Sequence, residues 1–241
     1  MDWVSTARGA AKTKTAVSGT LFVVATPIGH LKDITLRALE TLKTVEAIVC
    51  EDTRQTGKLL QHYAIRKPMV SLHDHNERVK TPELVNRLKG GESLALVSDG
   101  GTPLISDPGW RLVHEAIGAG AAVTWVPGAT ALIGALVLSG LPTDRFVFEG
   151  FLPPKSAARR KRLEALKGEA RTVVLYESPH RLLKALADIK DVLGDVSIAC
   201  ARELTKMFED VKRGTASELL AHFEQHVPRG EIVLVFTMQS H

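Results

Sequence analysis

The sequence predicts an α/β protein organised as two α/β units, and three observations predict it. Short apolar runs alternate with helical apolar stripes along most of the chain, the pattern of strands linked by crossover helices. Several of those runs stop abruptly at small, polar or Pro/Gly residues, as buried strands do at the edge of a sheet. The stretch Gly140-Leu141-Pro142-Thr143 interrupts the alternation and reads as a linker. A chain of 241 residues suits one large domain or two of ordinary size. The expected division is a disordered tail over 1–18, an N-terminal α/β domain over 19–142 and a C-terminal α/β domain over 143–238.

The first 18 residues are polar, small and weakly basic, without the apolar run of a secretory signal. Residues 20–26 form a continuous apolar strand closed by Pro27-Ile28-Gly29. Ile34, Leu36, Ala38, Leu39 and Leu42 fall near helical spacing over 33–44, with Asp33 as the expected N-cap. A short buried strand at 47–50 runs into Glu51-Asp52-Thr53-Arg54, and a helix is expected over 56–63. A strand at 69–72 leads into His73-Asp74-His75-Asn76-Glu77 and a helix around 82–89. The strand at 93–97, a helix over 109–118, a strand at 122–126 and a helix ending at Ser139 complete the first unit, whose sheet should be parallel or mostly so. The second unit reads as strand 145–150, basic helix 159–166, strand 172–176, amphipathic helix 179–193, strand 197–201, helix 216–226 and strand 231–237.

Composition narrows the function classes. Only Cys50 and Cys200 are present, so a disulfide framework is excluded and a reducing, cytoplasmic setting fits. Cysteine metal spacing and His-Glu-x-x-His are absent, so no metal site is expected. No apolar stretch reaches 18 residues, and no membrane span is expected. The net charge of +4 is mild and evenly spread, with 15 basic against 13 acidic residues over 1–142 and 16 against 14 over 143–241. It clusters locally at Lys155, Arg159, Arg160, Lys161 and Arg162, either a solvated helix face or a phosphate-contacting patch.

The loop after the strand at 93–97 is the most informative stretch: Ser98-Asp99-Gly100-Gly101-Thr102-Pro103 and on to Gly109. Glycines there let backbone approach a ligand, and Asp99 would face the crevice outside the strand ends. A tight connection with a capping Asp is the plain alternative. Three more strand ends share the format, at Thr26 to Gly29, Glu51 to Arg54 and Pro127 to Ala131, and together they describe the rim of a crevice. Neither a Gly-x-Gly-x-x-Gly after the first strand nor a Walker loop occurs, which disfavours the usual dinucleotide and triphosphate sites. Asp99 suits a ribose or an ammonium group, and Ala129-Thr130-Ala131 is small enough for a purine to approach. The His73 to Glu77 cluster suits a hydrogen-bonded turn better than a metal. Tyr176 to Arg181 and Ala201 to Lys206 follow two later strands, so the second unit should supply a polar wall.

These motifs, in this order over residues 20–237, resemble the bacterial small-subunit ribosomal RNA methyltransferase I family of the tetrapyrrole methylase superfamily. Carrying the resemblance are the segments beginning Thr26-Pro27-Ile28-Gly29, Glu51-Asp52-Thr53-Arg54, His73-Asp74-His75-Asn76-Glu77 and Ser98-Asp99-Gly100-Gly101. Ser139-Gly140-Leu141-Pro142, Gly150-Phe151-Leu152-Pro153, Tyr176-Glu177-Ser178-Pro179 and Arg202-Glu203-Leu204-Thr205-Lys206 follow. The resemblance implies the class III methyltransferase fold, two α/β domains with S-adenosylmethionine in the cleft between them, and commonly a homodimer. It also implies 2′-O-methylation of a decoding-site cytidine of 16S ribosomal RNA in the 30S subunit. Two positions depart from the family pattern: His30 stands where Asn is usual and Gly100 where Ala is usual.

Implied cofactor contacts are Pro27, Ile28, Asp99, Thr102, Thr130 and Ala131, with Tyr176 and Gly230 nearby. Arg54, Arg159, Arg160, Lys161, Arg181 and Arg202 form the expected RNA face. Methyl transfer to a ribose hydroxyl gains from a fixed approach and from a base within reach. The candidates are Glu51, Asp52, Glu203 and Lys206; Lys206 serves as a base only if its pKa is lowered, and otherwise steadies the phosphate or the developing alkoxide. The alternatives are methylation of a tetrapyrrole or other small molecule by the same fold, a non-catalytic RNA-binding protein, and a nicotinamide oxidoreductase, which the absent glycine fingerprint disfavours.

Overall fold

The computed structural model describes residues 18–239; the expected tail lies outside the described residues except for Ser18. The first sheet takes β1 (Thr20–Val24), β2 (Ala47–Cys50), β3 (Met69–Ser71), β4 (Leu94–Leu96) and β5 (Ala122–Val126), in the order β3-β2-β4-β1-β5. All four strand pairings in it are parallel. The crossovers are α1 (Leu36–Thr44), α2 (Thr53–His62), α3 (Glu77–Lys89) and α4 (Trp110–Gly118). Apolar residues cover both faces, Leu21, Val49, Leu84, Leu94 and Leu112 on one and Val24, Leu42, Ile48, Leu60 and Val97 on the other. This two-sided burial explains why the strands read as unbroken apolar runs. β1 connects toward β2 and β4 toward β5, so the loops leaving these adjacent strands diverge and open a crevice at their C-terminal ends.

The second sheet takes β6 (Phe146–Phe151), β7 (Thr172–Glu177), β8 (Ser197–Arg202), β9 (Asp210–Thr215) and β10 (Ile232–Thr237), in the order β6-β7-β10-β8-β9. It is mixed: β6 and β7 are parallel and the other three pairings antiparallel. Helices α6 (Ser156–Glu164), α7 (Leu182–Leu193) and α8 (Ala216–Gln225) belong to this half. They bury Leu163, Leu186, Ile189 and Phe223 against Val173, Leu175, Leu234 and Phe236. The other face is covered by α5 (Ala131–Ser139), which follows β5 yet packs Leu132, Ala135 and Leu136 on Val174, Ala199, Val233 and Val235. Each fully buried leucine is worth about 2 kcal/mol, so α5 fastens the first half of the chain to the second.

Several boundaries differ from the sequence expectation. Asp33 is not the N-cap of α1; Ile34 is extended and breaks the chain, and Thr35 Oγ1 accepts from the Ala38 amide at 3.1 Å. α2 starts at Thr53, three residues before the expected Thr56, with Asp52 as its N-cap, the carboxylate accepting from the Arg54 amide at 2.8 Å. Pro82 lies inside α3 rather than at its start. The added turn is anchored by Asn76, which accepts from the His73 amide at 2.9 Å, and by Glu77. Glu77 Oε1 accepts from the Gly109 and Arg111 amides at 3.0 Å each, holding the start of α4. β9 is an element sequence patterning missed, because Asp210-Val211-Lys212-Arg213-Gly214-Thr215 is a polar edge strand whose charges discourage further pairing. Among the described residues no helix is long and apolar enough to cross a membrane.

Candidate active site

A cleft of about 660 Å³ lies between the C-terminal end of the first sheet and the second sheet. Its floor is three loops tied together. Thr26, after β1, exchanges two backbone hydrogen bonds with Gly101, at 2.9 and 3.0 Å. The Thr26 hydroxyl donates to the Ser98 carbonyl at 3.2 Å, and that of Thr102 to the Ala129 carbonyl at 3.1 Å. Gly101 has φ +93°, and a Cβ there would sit 3.2 Å from Ile28 Cγ2. Glycine thus serves both the left-handed turn and the close approach of the β1 loop. The Asp52 amide donates to Asp99 Oδ1 at 3.1 Å, which ties in the loop after β2.

The facing wall comes from β7, the β8–β9 hairpin and the start of β10. Tyr176 sits edge-on to Phe148 and Phe151, at centroid distances of 5.0 and 5.7 Å. Glu177 is buried, paired with Arg181 at 3.1 Å and accepting from the Ser178 amide at 2.8 Å. Glu203 Oε1 accepts from Lys206 Nζ at 2.8 Å and from the Glu231 amide at 3.0 Å; Lys206 Nζ also lies 3.2 Å from Glu231. The two sides meet where the His30 amide donates to Thr205 Oγ1 at 3.0 Å. Gly29 permits that contact, since a Cβ on it would lie 2.5 Å from Lys206 Cγ. His30 Nδ1 caps the short 3-10 turn by accepting from the Lys32 amide at 3.2 Å, a role within reach of the Asn usual there.

Of the expected cofactor neighbours, Pro27, Ile28, Asp99, Thr102, Thr130, Ala131, Tyr176 and Gly230 all line the cleft. Of the four catalytic candidates, only Lys206 does. Asp52 is corrected from a candidate base to a structural group: it caps α2 and is gripped by the Arg54 guanidinium at 2.7 Å, which holds its carboxyl at about 2. Burial, reinforced by the Asp99 and Asp74 charges, raises the Glu51 carboxyl. Burial would also raise Glu203, but Lys206, the Glu231 amide and Arg202 outweigh it and hold that carboxyl low. Although burial works against the charge of Lys206, Glu203 and Glu231 raise its pKa and favour the ammonium form.

Asp107, in the loop that follows β4, is not among the expected site residues. It lines the cleft, and burial pushes its carboxyl up to about 6, with Glu51 and Asp99 adding to the shift and Ser98 opposing it. Asp99, on the exposed rim, is raised by desolvation too. The signal available in sequence was an acid flanked by Ser106 and Pro108 in a glycine-rich strand-end loop.

The expected RNA face is only partly free. Arg159 is corrected: it is buried, its side chain 3% exposed, and paired with Asp188 at 2.6 Å. Arg160 bonds Asp188 and Asp191 at 3.0 and 2.9 Å, and Arg162 bonds Glu149 at 2.7 Å. Arg159 and Arg160 therefore brace α6 against α7, and Arg162 ties α6 to β6. Lys161 is exposed, and Arg54 is exposed but paired with Asp52. Arg181 is half-buried on Glu177, and Arg202 lies 3.9 Å from Asp210 while donating to the Arg229 carbonyl at 3.2 Å. Among the described residues no group of three His, Cys, Asp or Glu is placed to hold a metal.

The sequence pattern of the tetrapyrrole (corrin/porphyrin) methylases matches residues 20–220. The chain is 54% identical over 218 residues to a ribosomal RNA small subunit methyltransferase I of Synechocystis sp., covering 90% of this chain and 78% of that one. A protein of the same name from Pseudomonas aeruginosa is 51% identical over 221 residues, with the same shares of the two chains covered. Among solved structures, the uroporphyrin-III-C-methyltransferase of Thermus thermophilus superposes with a TM-score of 0.62 at 23% identity, over 91% of this chain and 95% of that chain. That likeness speaks for the fold alone.

Proposed function

Because the chain belongs to the tetrapyrrole methylase family, and within it to the ribosomal RNA small subunit methyltransferases I, we propose that it transfers a methyl group from S-adenosylmethionine to the ribose 2′-oxygen of a decoding-site cytidine in 16S ribosomal RNA. The relatives near 50% identity carry this reading; the geometry of the cleft supports it.

The residues lining the cleft fit the cofactor. Glycines 29, 100 and 101 with Ala131 leave the floor open, since a Cβ on Gly100 would already approach the Pro27 carbonyl to 3.3 Å. Asp99 and Asp107 supply negative charge suited to an ammonium or a sulfonium, and Ile28, Leu204, Ile232 and Val233 supply apolar wall for a purine. Bound there, S-adenosylmethionine would supply an electrophilic methyl group.

The chain's own groups then divide the work. Tyr176 and the loops of the floor position the reactants, which alone lowers the barrier substantially. Lys206, held charged by Glu203 and Glu231, steadies negative charge developing on the ribose oxygen or on a neighbouring phosphate. Asp107 is the proposed proton acceptor, because a carboxyl near 6 is ionised at neutral pH yet more basic than an ordinary aspartate. Glu51, beside Asp99, helps hold the field that keeps Asp107 high. The exposed apolar face of α5, with Ile133, Val137 and Leu138, supports a homodimer, and the buried free thiols Cys50 and Cys200 agree with the cytoplasm.

The test is labelled methyl transfer to 30S subunits from cells lacking the modification, run beside uroporphyrinogen. Label in the subunit and none in the tetrapyrrole is expected. Label in the tetrapyrrole alone refutes the RNA reading and favours the small-molecule alternative.

A further inference from the structure

The hairpin that joins β8 to β9 carries an unusual combination of a stiff frame and bare apolar residues. Met207 is 90% exposed and Phe208 69% exposed at its tip. Isolated exposed apolar side chains are common on any protein and need no explanation. These two are adjacent, and they directly follow Lys206, which lines the cleft.

The loop beneath them is tightly held. Glu203 and Thr205 both adopt left-handed backbone, with φ +52° and +64°. The Lys206 amide donates to the Glu203 carbonyl at 3.0 Å, the Glu209 amide to the Lys206 carbonyl at 3.1 Å, and the Thr205 amide to Glu209 at 2.6 Å. Thr205 is tied across to His30, and Glu203 to Glu231. Non-glycine residues in left-handed conformation cost about 1 kcal/mol or more each, and such strain persists where surrounding contacts impose it, often at functional sites. Here the contacts hold the backbone from which Met207 and Phe208 project, directly beside the cleft-lining Lys206.

Of the cations on the hairpin, Lys206 is paired with Glu203 and Glu231, Arg202 with Asp210, and Arg213 donates to the Leu138 and Ser139 carbonyls, while Lys212 is exposed on β9. Two adjacent apolar side chains are too small for a stable protein interface, which needs about 800 Å² per partner. They suit an unstacked nucleobase, because a base offers a flat apolar face beside a phosphate. A nucleotide whose ribose enters a cleft must leave its helical stack, and the exposed base faces then need new partners.

Resting on the RNA methylation reading above, we propose that Phe208, backed by Met207, is a stacking platform for a nucleobase of the RNA at the cleft mouth, fixing the nucleotide whose ribose enters. Loss of one base–aromatic stack lowers affinity by about tenfold.

The test is steady-state methylation of 30S subunits by the full chain and its variants, with cofactor binding measured separately by calorimetry. Phe208→Ala should raise the KM for 30S about tenfold with cofactor affinity unchanged, and Phe208→Tyr or Phe208→Trp should restore it. An unchanged KM in Phe208→Ala and in the Met207→Ala, Phe208→Ala pair overturns the platform. So does a loss of self-association by sedimentation with KM unchanged, which would make the tip a protein contact. A wild-type chain that leaves 30S unmethylated defeats the functional reading and the platform together; methylation with KM unmoved by the variants defeats the platform alone.

Discussion

Replacing Asp107 by Asn should move stability and activity in opposite directions, and both effects depend on pH. The folded carboxyl titrates at about 6 against an ordinary 3.8, a difference of roughly two units or about 3 kcal/mol if fully transmitted. Asp107 keeps part of its solvent contact, so screening reduces this to about 1–2 kcal/mol. Because the folded pKa is raised, the folded state holds the proton more tightly. The stabilisation from that proton is complete below pH 4 and lost as pH rises through 6. Asn carries no such loss. Relative to wild type, Asp107→Asn should therefore gain about 1–2 kcal/mol between pH 4 and pH 7, a few degrees in Tm for a chain of this size. Turnover should do the reverse: wild-type kcat rises through pH 6 to a plateau, and the variant loses about a hundredfold or more on that plateau. Thermal melts from pH 4.5 to 8 and methyl transfer over the same range measure the two. Parallel stability profiles for the two proteins would refute the burial argument, and near-normal turnover by the variant would remove Asp107 as the proton acceptor.

Other positions give equally direct expectations. Asp188→Ala leaves the Arg159 guanidinium buried without its partner and should cost about 3–5 kcal/mol in chemical denaturation. Lys161→Ala should instead leave the denaturation midpoint in place and lower the salt slope of RNA binding by about one; a destabilised Lys161→Ala would contradict its placement in solvent. Gly29→Ala drives a methyl into Lys206 Cγ and Thr205 Oγ1, at 2.5 and 2.7 Å, so kcat should fall about a hundredfold while stability drops by only about 1–3 kcal/mol. Equal activity in that variant would show that the contact between the β1 loop and the hairpin does not set the geometry of Lys206.

The first sheet was legible in sequence because its strands are buried on both faces and so read as plain apolar runs. The four strand-end loops could be located from glycine, proline and small-residue punctuation, while the eight expected cofactor neighbours, all of which line the cleft, followed from the family resemblance. What stayed hidden depends on contacts far apart in the chain. Arg159 looked like part of a basic face, and only the approach of α7 with Asp188 shows that it points inward. Lys206 was open to two roles, base or electrostatic support, and it is Glu231, brought in from the start of β10, that joins its neighbour Glu203 in keeping it charged. β9 carries no apolar alternation because it is an edge, and its partner β8 defines it. Asp107 lay in full view, but its pKa is set by burial, which a linear string does not display.

If the cleft between the two sheets delivers a methyl group to a ribose oxygen, digesting methylated 16S ribosomal RNA to nucleosides and locating the added methyl by mass spectrometry will show it on the sugar. 2′-O-Methylcytidine from the decoding region is the expected product, lost when Lys206→Ala replaces the wild-type protein. A methyl on a base, or a ribose product undiminished in that variant, would contradict it.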